Sequence, residues 1–305
     1  MDADKTAMQP AVQPFGAWMR AVQTTMEQAL SSFLPAAADA PQELHQAMRY
    51  AVLDGGKRVR PLLAFAAGEL FAAGPQQLQR AAAAVEMIHA YSLVHDDMPC
   101  MDDDALRRGK PTVHIKFGQA SALLAGDALQ AQAFLVLTDG AGDAACKLAM
   151  VRLLAQASGS LGMCGGQAID LASVGLNLSR QQLEQMHRLK TGALLRAAVL
   201  LGALSGKLLT VAEEQALDRF AAAVGLAFQV VDDILDATAD SATLGKTAGK
   251  DAADNKPTYV SILGLEPSMV LAEQLRQDAH AALLPFGHNA QRLRELADLI
   301  VRRKA

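Results

Sequence analysis

The sequence predicts an all-α fold, and three observations carry that expectation. Of its 305 residues, 51% are hydrophobic, dominated by Ala and Leu, and only 4% are aromatic. That mixture favours helices over strands. Apolar segments of helical length follow one another along the chain, punctuated by Gly, Pro and short polar turns. No run alternates apolar and polar residues as a half-buried strand would.

The predicted helices cover 14–34, 41–53, 61–72, 75–98, 119–139, 143–163, 166–174, 179–204, 211–236, 257–263, 267–284 and 288–302. Several open on Pro in the first turn, where the missing N–H has no partner to lose. The longest breaks are 99–118 and 237–256, both rich in charge. Two long loops on one helical body suit a single domain spanning 1–305 better than two tethered domains. No repeat of helical-solenoid length is present.

The net charge of −4 gives no general attraction to nucleic acid or anionic membrane, so any anion site must be a local basic cluster. Three cysteines, Cys100, Cys146 and Cys164, lack C-x-x-C spacing, which argues against a disulfide framework or structural zinc. No signal peptide and no uncharged apolar run of bilayer length stand out, so a cytoplasmic protein without a membrane span is expected.

The chemistry concentrates in two acidic segments. His95-Asp96-Asp97-Met98-Pro99-Cys100-Met101-Asp102-Asp103-Asp104 ends a long apolar helix, and Pro99 forbids its regular continuation. Asp102 must fold back over that break to rejoin Asp96. Upstream, Glu86, His89 and Asp96 share one helical face. In the second segment Gln229, Asp232 and Asp236 form a polar stripe among Phe228, Val230, Val231, Ile234 and Leu235. Carboxylates so placed are costly to bury without a compensating cation, and hard oxygens on rigid helices suit Mg²⁺ bound partly through substrate phosphates.

Basic residues accompany both. Gly55-Gly56-Lys57-Arg58-Val59-Arg60-Pro61 sets three cations after a Gly-Gly turn, a composition suited to phosphate oxygens. Arg107, Arg108 and Lys110 follow the first acidic segment; Lys246, Lys250 and Lys256 follow the second. Lys190-Thr191-Gly192 interrupts a helix. No P-loop, dinucleotide fingerprint or nucleophile elbow is present. Glu86-x-x-His89 and Glu184-x-x-His187 mimic di-iron ligand pairs, but that reading leaves both aspartate segments unexplained.

At these residues the chain resembles the short-chain trans-prenyl diphosphate synthases, bacterial farnesyl diphosphate synthases above all. The segments that carry the likeness are Gly55–Pro61, Tyr91–Gly109, Gly126–Leu129, Lys190–Gly192, Phe228–Asp236 and Leu244–Thr247. The resemblance implies an isoprenoid-synthase helical bundle around a central apolar cavity, and a homodimer. It implies that isopentenyl diphosphate condenses with dimethylallyl or geranyl diphosphate. Asp96, Asp102 and Asp232 would bind three Mg²⁺, supported by Asp97 and Asp236. Arg107, Lys190, Lys246 and Lys256 would contact the allylic diphosphate, with Thr191 and Gln229 lining its site. Gly56, Lys57, Arg60, His89 and Arg108 would hold isopentenyl diphosphate. Tyr91, about 7.5 Å below Asp96 at helical rise, would floor the cavity and stop growth at fifteen carbons. Ala105 departs from the acidic run common in the bacterial enzymes, beyond the metal-binding aspartates. A geranylgeranyl diphosphate synthase, a terpene cyclase and a non-catalytic subunit of a synthase heteromer share parts of this pattern. A cyclase has no use for the Gly56–Arg60 site, and the non-catalytic subunit is marked by loss of an aspartate motif, which this chain keeps.

Overall fold

A computed structural model describes residues 13–176, 178–238 and 257–303. Its first half contains α1 (Phe15–Phe33), α2 (Gln42–Val52), α3 (Val59–Leu70), α4 (Pro75–Asp96), α5 (Val113–Phe117), α6 (Gln119–Thr138) and α7 (Ala144–Ser158). The second half continues with α8 (Met163–Ala172), α9 (Arg180–His187), α10 (Ala193–Leu204), α11 (Val211–Thr238), α12 (Tyr259–Leu263), α13 (Leu265–Ala282) and α14 (Gln291–Arg302). Residues Arg188–Gly192 join α9 to α10 through a π turn.

The predicted helices are all present, with two local corrections. The break at 99–118 contains a small antiparallel hairpin, β1 (Leu106–Arg107) on β2 (Lys110–Pro111), and then α5. Two-residue strands are too short to show any alternation, so the sequence pattern missed them. The helix expected to run to Met163 stops at Ser158, because Gly159, Ser160 and Gly162 break it. Helix α6 is long and apolar enough to cross a bilayer by length and composition alone, but it is not an uncharged run of the kind the sequence lacks. It carries Asp127 near its middle, and it lies along α4 with Ala122, Ala125, Leu129, Ala133, Val136 and Leu137 buried.

Helix α4 is the axis of the packing. Every residue from Ala81 to Ile88 is buried, as expected for a helix surrounded by others. Its run of four alanines lets neighbours approach on several sides, and α1, α2, α3, α6 and α10 all touch it. The one charge in that stretch, Glu86, would be prohibitive alone. Arg58 neutralises it at 2.7 Å and also donates to Glu27 at 2.8 Å and to the Val52 carbonyl at 2.7 Å. A second apolar cluster of Leu183, Met186, Leu226, Val230, Tyr259 and Leu275 seats α9, α12 and α13 against α11. These packings aim the C-terminal end of α4, the π turn and the last turns of α11 at one another.

Candidate active site

The first acidic rim is built by the collapse of α4. Past Asp97 the chain tightens through Met98 and Met101, then returns so that Asp102 N–H donates to the Asp96 carbonyl at 2.8 Å. Asp104 N–H donates to the Asp97 carbonyl at 3.1 Å. The predicted fold-back of Asp102 is thus realised by backbone hydrogen bonds. The hairpin then throws Arg107 back over the rim. Its guanidinium grips both oxygens of Asp97, at 2.5 and 2.8 Å to Oδ1 and 2.9 Å to Oδ2, and lies 3.6 Å from Asp104. Burial pushes the Asp97 carboxyl upward in pKa, and the Arg107 bonds oppose it. Asp97, expected to support the metal-binding aspartates, seats Arg107 here. Asp96 is also buried, and burial pushes its carboxyl upward against the pull of Lys190.

The facing wall comes from α8, the π turn and α11. A π turn inserts one residue into the helical register and here presents Lys190 and Thr191 to the mouth together. The wall is close-packed there: a Cβ on Gly166 would lie 2.1 Å from the Lys190 backbone nitrogen, so only glycine fits. Lys190 Nζ lies 2.5 Å from Asp170 and 3.9 Å from Asp96. Thr191 Oγ1 donates to Gln229 Oε1 at 3.0 Å. Gln229 stands three residues before Asp232 and seven before Asp236 on α11. Two contacts, Asp96 with Lys190 and Thr191 with Gln229, therefore link the first acidic motif through the π turn to the helix that carries the second. Asp232 accepts from Arg303 at 2.6 Å, and the same guanidinium donates to the Phe228 carbonyl at 2.8 Å and stacks 4.1 Å from the Phe228 ring. Asp236 is buried one turn further on. Asp233 points away and accepts from the Tyr259 N–H at 2.7 Å, capping α12.

Beside the rims lies a cup of cations. Arg58 adopts left-handed backbone, with φ of 53°, and turns inward to Glu86. Lys57 and Arg60 both lie within electrostatic reach of Asp232. Burial lowers the Lys57 pKa, assisted by Arg303 and opposed by Asp232. Burial likewise lowers Arg60 to about 10, with Arg108 adding to it and Glu86 and Asp232 opposing. His89 is driven well below its ordinary value by burial and then by Arg60, Arg108, Arg107 and Arg58, so it is neutral near pH 7. Gly56 lies against the Arg108 guanidinium, where a Cβ would approach within 2.9 Å. The Nε of Arg60 is buried without a hydrogen-bond partner. Crowded, partly desolvated cations with an unused donor are what an anion would satisfy.

The donor chemistry also fits Mg²⁺. Asp96, Asp102, Asp232 and Asp236 offer hard oxygens from two sides, and Asp96 and Asp236 are buried. Among the described residues no three metal-binding side chains already converge on one point. That suits an ion completed by substrate oxygens rather than an all-protein cage. Lys246 and Lys256 lie outside the described residues.

Three site residues escaped the sequence reading. Asp170 holds Lys190, Gln167 lies buried beside Asp96, and Arg303 reaches Asp232. The only sequence signal was the Gln167-x-x-Asp170 spacing on an otherwise apolar helix.

A helical body whose mouth joins two carboxylate rims and a separate cationic cup is a binder of two anionic groups side by side. The chain belongs to the polyprenyl synthetase family, which matches it over residues 41–283. It is 48% identical over 282 residues to the farnesyl diphosphate synthase of Escherichia coli K12, covering 90% of this chain and 94% of that one. Its structure resembles the apo FPP/GFPP synthase of Zymomonas mobilis, with a TM-score of 0.84 and 41% identity over 94% of this chain and 98% of that one. It also resembles a Helicobacter pylori geranyltransferase complexed with magnesium and isoprenyl diphosphate, with a TM-score of 0.82 and 30% identity, covering 96% and 98%.

Proposed function

We propose that this chain is a farnesyl diphosphate synthase, condensing isopentenyl diphosphate with dimethylallyl and then geranyl diphosphate. The observation that carries the reading is the link from Asp96 to Lys190 and from Thr191 to Gln229, three residues before Asp232 on α11, with the Lys57, Arg60, His89 and Arg108 cup beside it. The two rims take the allylic diphosphate, and the cup takes isopentenyl diphosphate. Asp96, Asp102, Asp232 and Asp236 would hold Mg²⁺, three ions on this reading. When bound, the metal neutralises charge building on the departing diphosphate. Arg107, held by Asp97, and Lys190, held by Asp170, add fixed positive charge at the same place. Lys246 and Lys256 are assigned there by family likeness.

The reaction needs no protein nucleophile. The allylic carbon–oxygen bond breaks, and its electron pair leaves with diphosphate. The double bond of isopentenyl diphosphate attacks the cation, and a proton then passes to the released diphosphate. The protein's work is to orient two anions and exclude water. Tyr91, buried below Asp96, closes the tunnel at fifteen carbons and so disfavours the geranylgeranyl product. The test is incubation with Mg²⁺, radiolabelled isopentenyl diphosphate and each allylic starter, followed by chromatography of the dephosphorylated products. A dominant fifteen-carbon alcohol is expected; no incorporation of label refutes the reading.

A homodimer accompanies the proposal. Leu123, Leu124 and Leu135 on the outer face of α6, with Ile115 and Leu148 nearby in sequence, are exposed in the single chain. Exposed apolar side chains of that kind suit a second copy. Light scattering of the purified protein at twice the 32.2 kDa chain mass is the expected result.

A further inference from the structure

Helix α8 carries Cys164, Gln167 and Asp170 three residues apart, along one side of the helix. Each meets a different depth of the site. Asp170 holds Lys190 at the mouth, at 2.5 Å. Gln167 lies beside Asp96 and donates to the Ser92 carbonyl at 3.4 Å. Cys164, about 9 Å below Asp170 at helical rise, places its Sγ 3.3 Å from the Tyr91 hydroxyl. The Tyr91 ring is braced from above as well. His95 packs edge-on against it, with centroids 5.7 Å apart and planes at 74°. His95 is pinned in turn by its Nε2 contact to the Leu123 carbonyl at 3.1 Å. Its ring fills the space that Gly126 leaves open, since a Cβ there would lie 2.0 Å from Nε2.

Tyr91 is 4% exposed, so its hydroxyl needs a partner inside the protein. Gln130 of α6 is also within reach of that hydroxyl, but Cys164 is the contact on the α8 wall. We propose that Cys164 determines product length by anchoring the Tyr91 ring across the tunnel, as a positioning residue for the floor rather than a floor itself. Without the thiol, the ring gains freedom to swing aside, and a five-carbon unit can pass. The inference rests on the proposed prenyl-transfer reading with Tyr91 as the floor.

The experiment compares wild type with Cys164→Ala, Cys164→Ser, Tyr91→Phe and the Cys164→Ala/Tyr91→Phe double variant. Each is given Mg²⁺, isopentenyl diphosphate and geranyl diphosphate, and dephosphorylated products are resolved by chain length. Cys164→Ala is expected to raise the ratio of twenty- to fifteen-carbon product about five-fold, the ratio set by one neutral hydrogen bond. Tyr91→Phe, which also gives up the Gln130 contact, should raise it at least as much, and the double variant no further than Tyr91→Phe, because the thiol then has no hydroxyl to hold. Cys164→Ser keeps a hydroxyl to bond Tyr91 and should retain the wild-type ratio, which a purely volumetric role would not allow. The rate of the first condensation should stay within about two-fold of wild type in Cys164→Ala and Cys164→Ser. An unchanged ratio in Cys164→Ala, or a shift in Cys164→Ser as large as that in Cys164→Ala, overturns the inference while the wild type still makes farnesyl diphosphate. A wild type that incorporates no isopentenyl diphosphate overturns the reading beneath it, and the inference falls with it.

Discussion

The two acidic rims look alike in sequence and are held in different ways. The first is tied locally: Asp97 is gripped by Arg107 ten residues on, and Asp102 and Asp104 return to α4 by backbone bonds. The second is tied at long range: Asp232 meets Arg303, 71 residues away, and Asp233 caps α12 from 26 residues away. Most ties of the first rim lie in the same turn and hairpin, the approach of Lys190 to Asp96 being the long-range exception. A rim whose partners come from the C-terminal helices requires the whole fold. On the proposed function the two rims nevertheless act as one clamp, and variants can separate how they are built from what they do.

The largest expected effect tests that shared role. Asp96→Ala and Asp232→Ala should each lower kcat/KM by about 10³-fold, the loss typical of removing one group that stabilises transition-state charge. Their double variant should lose scarcely more than either alone, since residues that work as a unit are not additive. Fully additive losses in steady-state kinetics would mean two independent sites. Next in size is Asp170→Asn, which removes the charge that orients Lys190. A loss of about 30-fold in kcat is expected, the scale seen when an outer partner of a charged ligand group is removed. KM for isopentenyl diphosphate should not move, because Asp170 is on the allylic side.

Arg107→Met, which also takes a charge from the site, tests construction through its effect on stability. It strands the buried Asp97 carboxylate, but Arg107 itself is about one-third exposed, so water can reach part of the gap. A stability loss of about 2 kcal/mol is expected, at the low end for a broken buried pair, read as a lower urea midpoint with unchanged slope. The smallest effect belongs to the distant tie. Arg303→Ala should lower the Mg²⁺ concentration for half-maximal activity about three-fold, since the guanidinium and the metal compete for Asp232 and a partly exposed pair is weak. A rise in that concentration would show that Arg303 assists metal binding instead of opposing it.

The same contrast explains what could be read from the residues alone. Helix α4 was legible because its apolar run, its opening Pro75 and its closing Pro99 all agree. Asp96, Asp102, Asp232 and Asp236 were legible because carboxylates stand out on apolar helices. Lys57 and Arg60 were legible as charges, but not which way each faces; Arg58, between them, goes to the interior to meet Glu86. Arg303 and Asp170 were not legible, since their partners lie 71 and 20 residues away and neither sits in a distinctive local pattern. The hairpin at Leu106–Pro111 escaped because two residues per strand carry no period. Pairings across sequence distance are set by packing, and packing is what a linear pattern does not record.

The inward turn of Arg58 has a lasting effect on the loop that carries it. Three adjacent like charges would repel and splay an unanchored segment, yet one left-handed residue moors the loop to the helix axis through a carboxylate that no ligand can reach. Departure of an anion from the neighbouring cations therefore leaves their anchorage intact. The recess persists from one turnover to the next, and an arriving molecule finds its berth already laid out.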